Sequence, residues 1–194
     1  MMMIEHSLSP VIAAADDIEG SDDEPGPSCV ALLIAHDAWN ALGDLESLIW
    51  RAYDATAAKV LAVRGRDVAI LLTSDDAIAV LNAQYRGQNK PTNVLSFPAP
   101  ALPASITLAG EETPLGDIAI AYETVMREAT QEAKPPIFHL AHLTVHGLLH
   151  LAGFDHRTGA EAEGMEAAER DILASIDIPD PYLPTSDEPP ALTG

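Results

Sequence analysis

The 194-residue chain has a single cysteine, Cys29. One thiol cannot close an intramolecular disulfide or build a cysteine-ligated structural zinc site, and it suits a reducing, cytoplasmic setting. Long apolar runs are missing too. The longest near the start, Val11 to Ala15, is too short for the core of a secretion signal and follows Glu5 rather than a basic cluster. No stretch approaches the roughly 20 apolar residues a bilayer crossing needs, so the expectation is a soluble protein with no membrane partner. Aromatic residues make up only 5% of the chain while 47% is hydrophobic, which points to a helix-rich core of Ala, Leu, Ile and Val. Basic residues are scarce: 10 Lys and Arg face 30 Asp and Glu, a formal net charge of −20. That excludes a protein that grips nucleic acid, DNA above all, through a broad basic surface.

Part of the acidity is local. Seven acids precede Cys29, and Asp187 and Glu188 lie in the tail; removing those nine from the 30 leaves 21 acids against 10 bases. Residues 1–28 mix acids, Ser, Pro and Gly without a period and read as a disordered acidic leader. Residues 184–194 read as a flexible tail, leaving one domain over 29–183. Within it, Val30 to His36, Val68 to Thr73, Asn93 to Phe97 and Asp117 to Ala121 have the length and composition of strands. Leu45 to Lys59 carries apolar residues at one helix face, and Ser74 caps a helix running to about Tyr85, ended by Gly87. Residues 98–114 read as a Pro- and Ala-rich loop. Further helices follow at Glu123 to Glu132, at Ile137 to Ala152 after Pro135-Pro136, and from Gly159 to Ile176. The order predicts a mixed α+β domain, one sheet of about four strands packed with helices.

Five of the seven histidines fall between 139 and 156. At about 100° per residue, His139, His142, His146 and His150 share a stripe roughly 80° wide on a helix that is otherwise apolar. His146 and His150 are one turn apart, so both imidazoles can reach one ion. Gly153 can adopt the left-handed conformation that ends a helix and turns the chain back, bringing His156 to the same ion. Three neutral ligands and an open fourth position form the catalytic arrangement of one zinc ion, which acidifies bound water and polarises a carbonyl or phosphoryl oxygen. His142, a turn earlier, reads as a core or supporting histidine; His139, about 16 Å along the axis from His150, is too far away to share the ion. His6 and His36 carry no signal.

The spacing HxxxHxxGxxH also matches zinc metalloproteases, which carry a Glu directly after the first His as general base. Here that position is Gly147, and Asp155 reads as a cap or supporting group on the turn. A metalloprotease is the weaker alternative.

The string AHLTVHGLLHLAGFDH, residues 141–156, resembles the hallmark of the YbeY family of metal-dependent endoribonucleases. LNAQYRGQNKPTNVLSFP, residues 81–98, and LGDIAI, residues 115–120, are similar to its other conserved blocks, and the likeness extends over about residues 30–183. Asn89 and Asn93 stand where the family commonly has acids. The resemblance implies zinc on His146, His150 and His156, and Arg86 as the functionally required arginine, suited to clamp a phosphate by paired hydrogen bonds. Ser96 would line the groove or bond to backbone. It further implies cleavage of single-stranded RNA, by water or a neighbouring 2′-hydroxyl, in maturation of the 16S ribosomal RNA 3′ end and in ribosome quality control. The small ribosomal subunit and its assembly factors would be partners. A ribosome-assembly binding factor with a structural or weakly active zinc is the second reading, which the acidic surface favours.

Overall fold

Val68–Thr73 and Gly116–Ala121 are runs of apolar and small residues buried along nearly their whole length, the signature of strands covered on both faces. In the computed structural model, which describes residues 29–100 and 114–183, they form the centre of a four-stranded sheet. In chain order the strands are β1 (Val30–Ile34), β2 (Val68–Thr73), β3 (Val94–Pro98) and β4 (Gly116–Ala121). The spatial order is β1-β2-β4-β3, with β1, β2 and β4 parallel and β3 antiparallel at one edge. Pro98 ends that edge strand, a position that tolerates a missing N–H. The expected mixed α+β sheet of four strands is what the chain builds.

Five α-helices accompany it: α1 (Leu45–Lys59), α2 (Asp75–Arg86), α3 (Tyr122–Gln131), α4 (Pro136–Leu151) and α5 (Gly159–Ala174). Asp44 caps α1 by accepting from the Ser47 N–H, Ser74 caps α2, and Thr158 with Glu161 forms a reciprocal capping box on α5. Side-chain alternation on the strands sorts the core into two. Ile70, Leu72, Ile118 and Ile120 pack against α1, α4 and α5. Leu71 and Ala119 point the other way, onto Ile78 and Leu81 of α2. The result is a sheet with α2 on one side and α4 sandwiched on the other.

A short 3-10 helix over Asp37–Leu42 was not legible in the sequence. It is held by a distant contact, the Trp39 indole N–H donating to the Thr73 carbonyl at 3.1 Å, with the ring edge-on to Tyr122. No helix among the described residues is long and apolar enough to cross a membrane. The acidic leader with His6, most of the 98–114 loop and the tail lie outside the described residues.

Candidate metal centre

Helix α4 begins with Pro136 at its first turn, where a missing N–H is no loss, and runs buried through the middle of the protein. Gly147 lies against β4: a Cβ there would stand 2.8 Å from Ile118 Cδ1. At the position after His146 a side chain therefore crowds Ile118, which would have to shift, and the Glu of a metalloprotease is not there. Close approach of α4 to the sheet fixes the height of the histidine stripe over β3, where the Ser96 hydroxyl donates to the Gly147 carbonyl at 3.4 Å. Ser96 thus does both things expected of it, bonding to backbone and lining the groove.

The four histidines of the stripe have different partners. His139 Nε2 lies 2.9 Å from Glu128 Oε2. His142 Nε2 donates to Glu169 Oε2 at 3.1 Å, a supporting place as the sequence suggests. His146 Nδ1 lies 2.7 Å from Glu169 Oε1, and His150 Nδ1 lies 3.0 Å from the Phe154 carbonyl. That carbonyl is delivered by the turn at Gly153, whose φ of +94° is left-handed, with its N–H bonded to the His150 carbonyl. The same turn carries His156 back, its ring centroid 5.1 Å from His150 and 5.7 Å from His146. Asp155 Oδ1 accepts from the His156 N–H, the local capping role expected of it.

These bonds decide the tautomers. An ionised carboxylate and a backbone carbonyl can only accept, so His146 and His150 each carry their proton on Nδ1. Both Nε2 atoms are then bare lone pairs, and they stand 3.0 Å apart. Two lone pairs that close repel unless a cation lies between them. Ligand atoms of His146, His150 and His156 all lie within 4.8 Å of one another, a third donor that a proton would not need and a metal ion would. The donor set therefore fits a zinc-type ion. Burial first, and the neighbouring His146 second, push His150 below its ordinary pKa of 6.5, which keeps its lone pair free.

Glu169 was missed by sequence reasoning. It is fully buried on α5, and burial alone would raise its pKa; bonds from His142, His146 and the Tyr182 hydroxyl outweigh this and hold it down at about 2. A signal existed: Glu169 shares the apolar face of α5 with Met165, Ile172 and Leu173, where an acid needs partners. His142, His146 and Glu169 also cluster within 4.8 Å. At 2.7 Å, His146 Nδ1 and Glu169 Oε1 are spaced as a hydrogen bond.

Arg86 is the last residue of α2, which Gly87 ends in the left-handed conformation. The following loop is clamped by buried Asn82, whose side-chain amide donates to the Lys90 carbonyl. Arg86 is exposed and makes no hydrogen bond or ion pair among the described residues, so it does not cap its own helix. It lines one cavity of about 530 Å³ together with Ser96, His146, His150 and His156. Asn93 turns its amide to Glu128 at 3.0 Å, and Asn89 lies on the exposed loop before it.

The family model for "Endoribonuclease YbeY" matches residues 36–177. A protein of that name from Rhodopseudomonas palustris (strain BisB5) is 50% identical over 88% of this chain and 89% of its own. Another, from Bradyrhizobium sp. (strain BTAi1), is 52% identical over 78% of this chain and 90% of its own. A solution structure from Thermotoga maritima aligns at a TM-score of 0.49 and 24% identity, over 76% of this chain and 91% of that one.

Proposed function

The chain belongs to the YbeY endoribonuclease family, and from that premise we propose that it is a zinc-dependent endoribonuclease cutting single-stranded RNA. The observation that carries this reading is the pair of facing Nε2 lone pairs of His146 and His150, which a cation between them would relieve. His146, His150 and His156 would hold one zinc ion, which when bound supplies positive charge for a phosphoryl oxygen and lowers the pKa of water.

The chain's own residues do the rest. Arg86, unpaired and in the same cavity, donates two parallel hydrogen bonds to the non-bridging oxygens of the phosphate and offsets charge that grows on them. Arg157, at the other side of that cavity, adds a second cation whose charge Asp155 partly offsets at 2.6 Å. Glu169 and the Phe154 carbonyl hold the two imidazoles in the tautomer that presents Nε2 to the cavity. A local cationic pocket on an acidic protein favours phosphate there.

In the cell the substrate would be ribosomal RNA, with maturation of the 16S 3′ end and ribosome quality control in the cytoplasm as the setting, and the small subunit and assembly factors as partners. The net charge of −20 favours a second reading, an assembly factor that works by binding protein. Metal content by mass spectrometry on wild type and His150→Ala, with RNA cleavage in the same preparations, separates them. Near one zinc per chain, lost in the variant together with cleavage, supports the nuclease. Zinc without cleavage of any RNA supports the assembly factor, and wild type without stoichiometric metal overturns both.

A further inference from the structure

A second and larger cavity, about 900 Å³, adjoins the first. Asn93, Val94 and His146 line both, so the start of β3 is a saddle between them and a strand crossing it passes the candidate metal ligands. The two differ in charge. The first has Arg86 and Arg157 against Asp155; the second has Glu128, Glu132 and Lys134, and Lys134 is already paired with Glu132 at 2.8 Å. Net negative, the second cavity repels a phosphate but accepts a neutral ring with hydrogen-bond donors.

Two of its residues are built for that. Tyr182 is 43% exposed although its hydroxyl is anchored on the buried Glu169; Arg170 lies 5.2 Å over the ring and His142 meets it edge-on at 5.6 Å. It is a held, exposed aromatic surface, the kind on which unpaired bases stack. Glu128 receives both of its hydrogen bonds, from Asn93 and His139, on Oε2, which leaves Oε1 as an acceptor with no partner among the described residues. A carboxylate oxygen pairs with an exocyclic amino group, as on adenine, cytosine or guanine, and has no counterpart of that kind on uracil. The volume lies within the range of small-ligand pockets.

We propose that this cavity is a base subsite, seating an unstacked amino-bearing nucleobase of the RNA strand on Tyr182 with Glu128 accepting from its amino group. The proposal rests on the RNA-cleaving reading above. Stopped-flow mixing of the full chain with short single-stranded RNAs carrying 2-aminopurine at successive positions tests it, with zinc content and cleavage measured on the same samples. Wild type and Tyr182→Phe should quench the fluorophore at one position near the cut, because both keep the ring. Tyr182→Leu should lose that quenching and bind roughly 5- to 150-fold more weakly at unchanged zinc content. Glu128→Gln should cut RNAs with uracil and with cytosine at that position at similar rates, where wild type favours cytosine. Wild type that cuts RNA while Tyr182→Leu quenches undiminished, or that shows no preference between uracil and cytosine, overturns the subsite and leaves the nuclease standing. Wild type that neither binds nor cuts any RNA overturns the nuclease reading and the subsite with it.

Discussion

Nε2 of His146 and Nε2 of His150 face each other at 3.0 Å with both Nδ1 protons committed elsewhere. The fold therefore holds two like partial charges together, and a cation bound between them would turn that cost into a gain.

Removal of metal by a chelator should lower the melting temperature. An ion present at about 100 times its dissociation constant contributes about 2.7 kcal/mol, which for a chain of this size is about 5–10 °C. Differential scanning calorimetry with and without added zinc measures it, and His150→Ala should show no zinc-dependent shift.

Glu169→Gln keeps the shape but can no longer accept as an anion from His142, His146 and Tyr182 together. Zinc affinity in a competitive titration should fall about 10- to 100-fold. Glu169→Leu leaves three donors without a buried acceptor and should also cost about 3–5 kcal/mol in urea unfolding.

Arg86→Ala should leave zinc content and melting temperature near wild type, because the side chain is exposed and has no partner among the described residues. RNA cleavage should drop about 100- to 1,000-fold in kcat/KM. Arg86→Lys restores the charge but not the paired geometry and should recover only part of the loss.

Gly147→Ala drives a methyl to within 2.8 Å of Ile118 Cδ1 and should destabilise by about 1–3 kcal/mol. Adding Ile118→Val should not rescue it, since Val lacks Cδ1 but keeps the branch that also lies within 3.2 Å; Ile118→Ala should.

Two acid-side losses of stability should appear in the metal-free protein. His150 binds its proton less readily folded than unfolded, so as pH falls below about 6.5 the unfolded state takes up more protons and stability declines. Glu169, at about 2 folded against 4.5 unfolded, gives a second decline between those values, by the same sign. Urea midpoints against pH should show both steps, and Glu169→Gln should lack the second.

Local periodicity made most elements readable. The bounds of α1 and β2 follow from apolar spacing alone, and the Ser74 cap fixed the start of α2. The 3-10 helix at Asp37–Leu42 was not readable, because Trp39 is held by a carbonyl 34 residues away. Glu169 was obscured among the other acids of α5, since its donors come from elsewhere in the fold: His142 and His146 on α4, and Tyr182 beyond α5.

By itself the sequence determined which side chains are available for a metal and their rough place: a helix repeats every 3.6 residues, so His146 and His150 must share a face, and Gly153 must turn the chain before His156. Tertiary structure alone decided which nitrogens of His146 and His150 face each other, that a side chain at 147 would crowd Ile118, and that Arg86 lies in the same cavity as the histidines. Helix phase depends on near neighbours along the chain, whereas tautomer, clearance and cavity walls depend on groups brought together from α2, β3, β4 and α5 by the packing of a shared core.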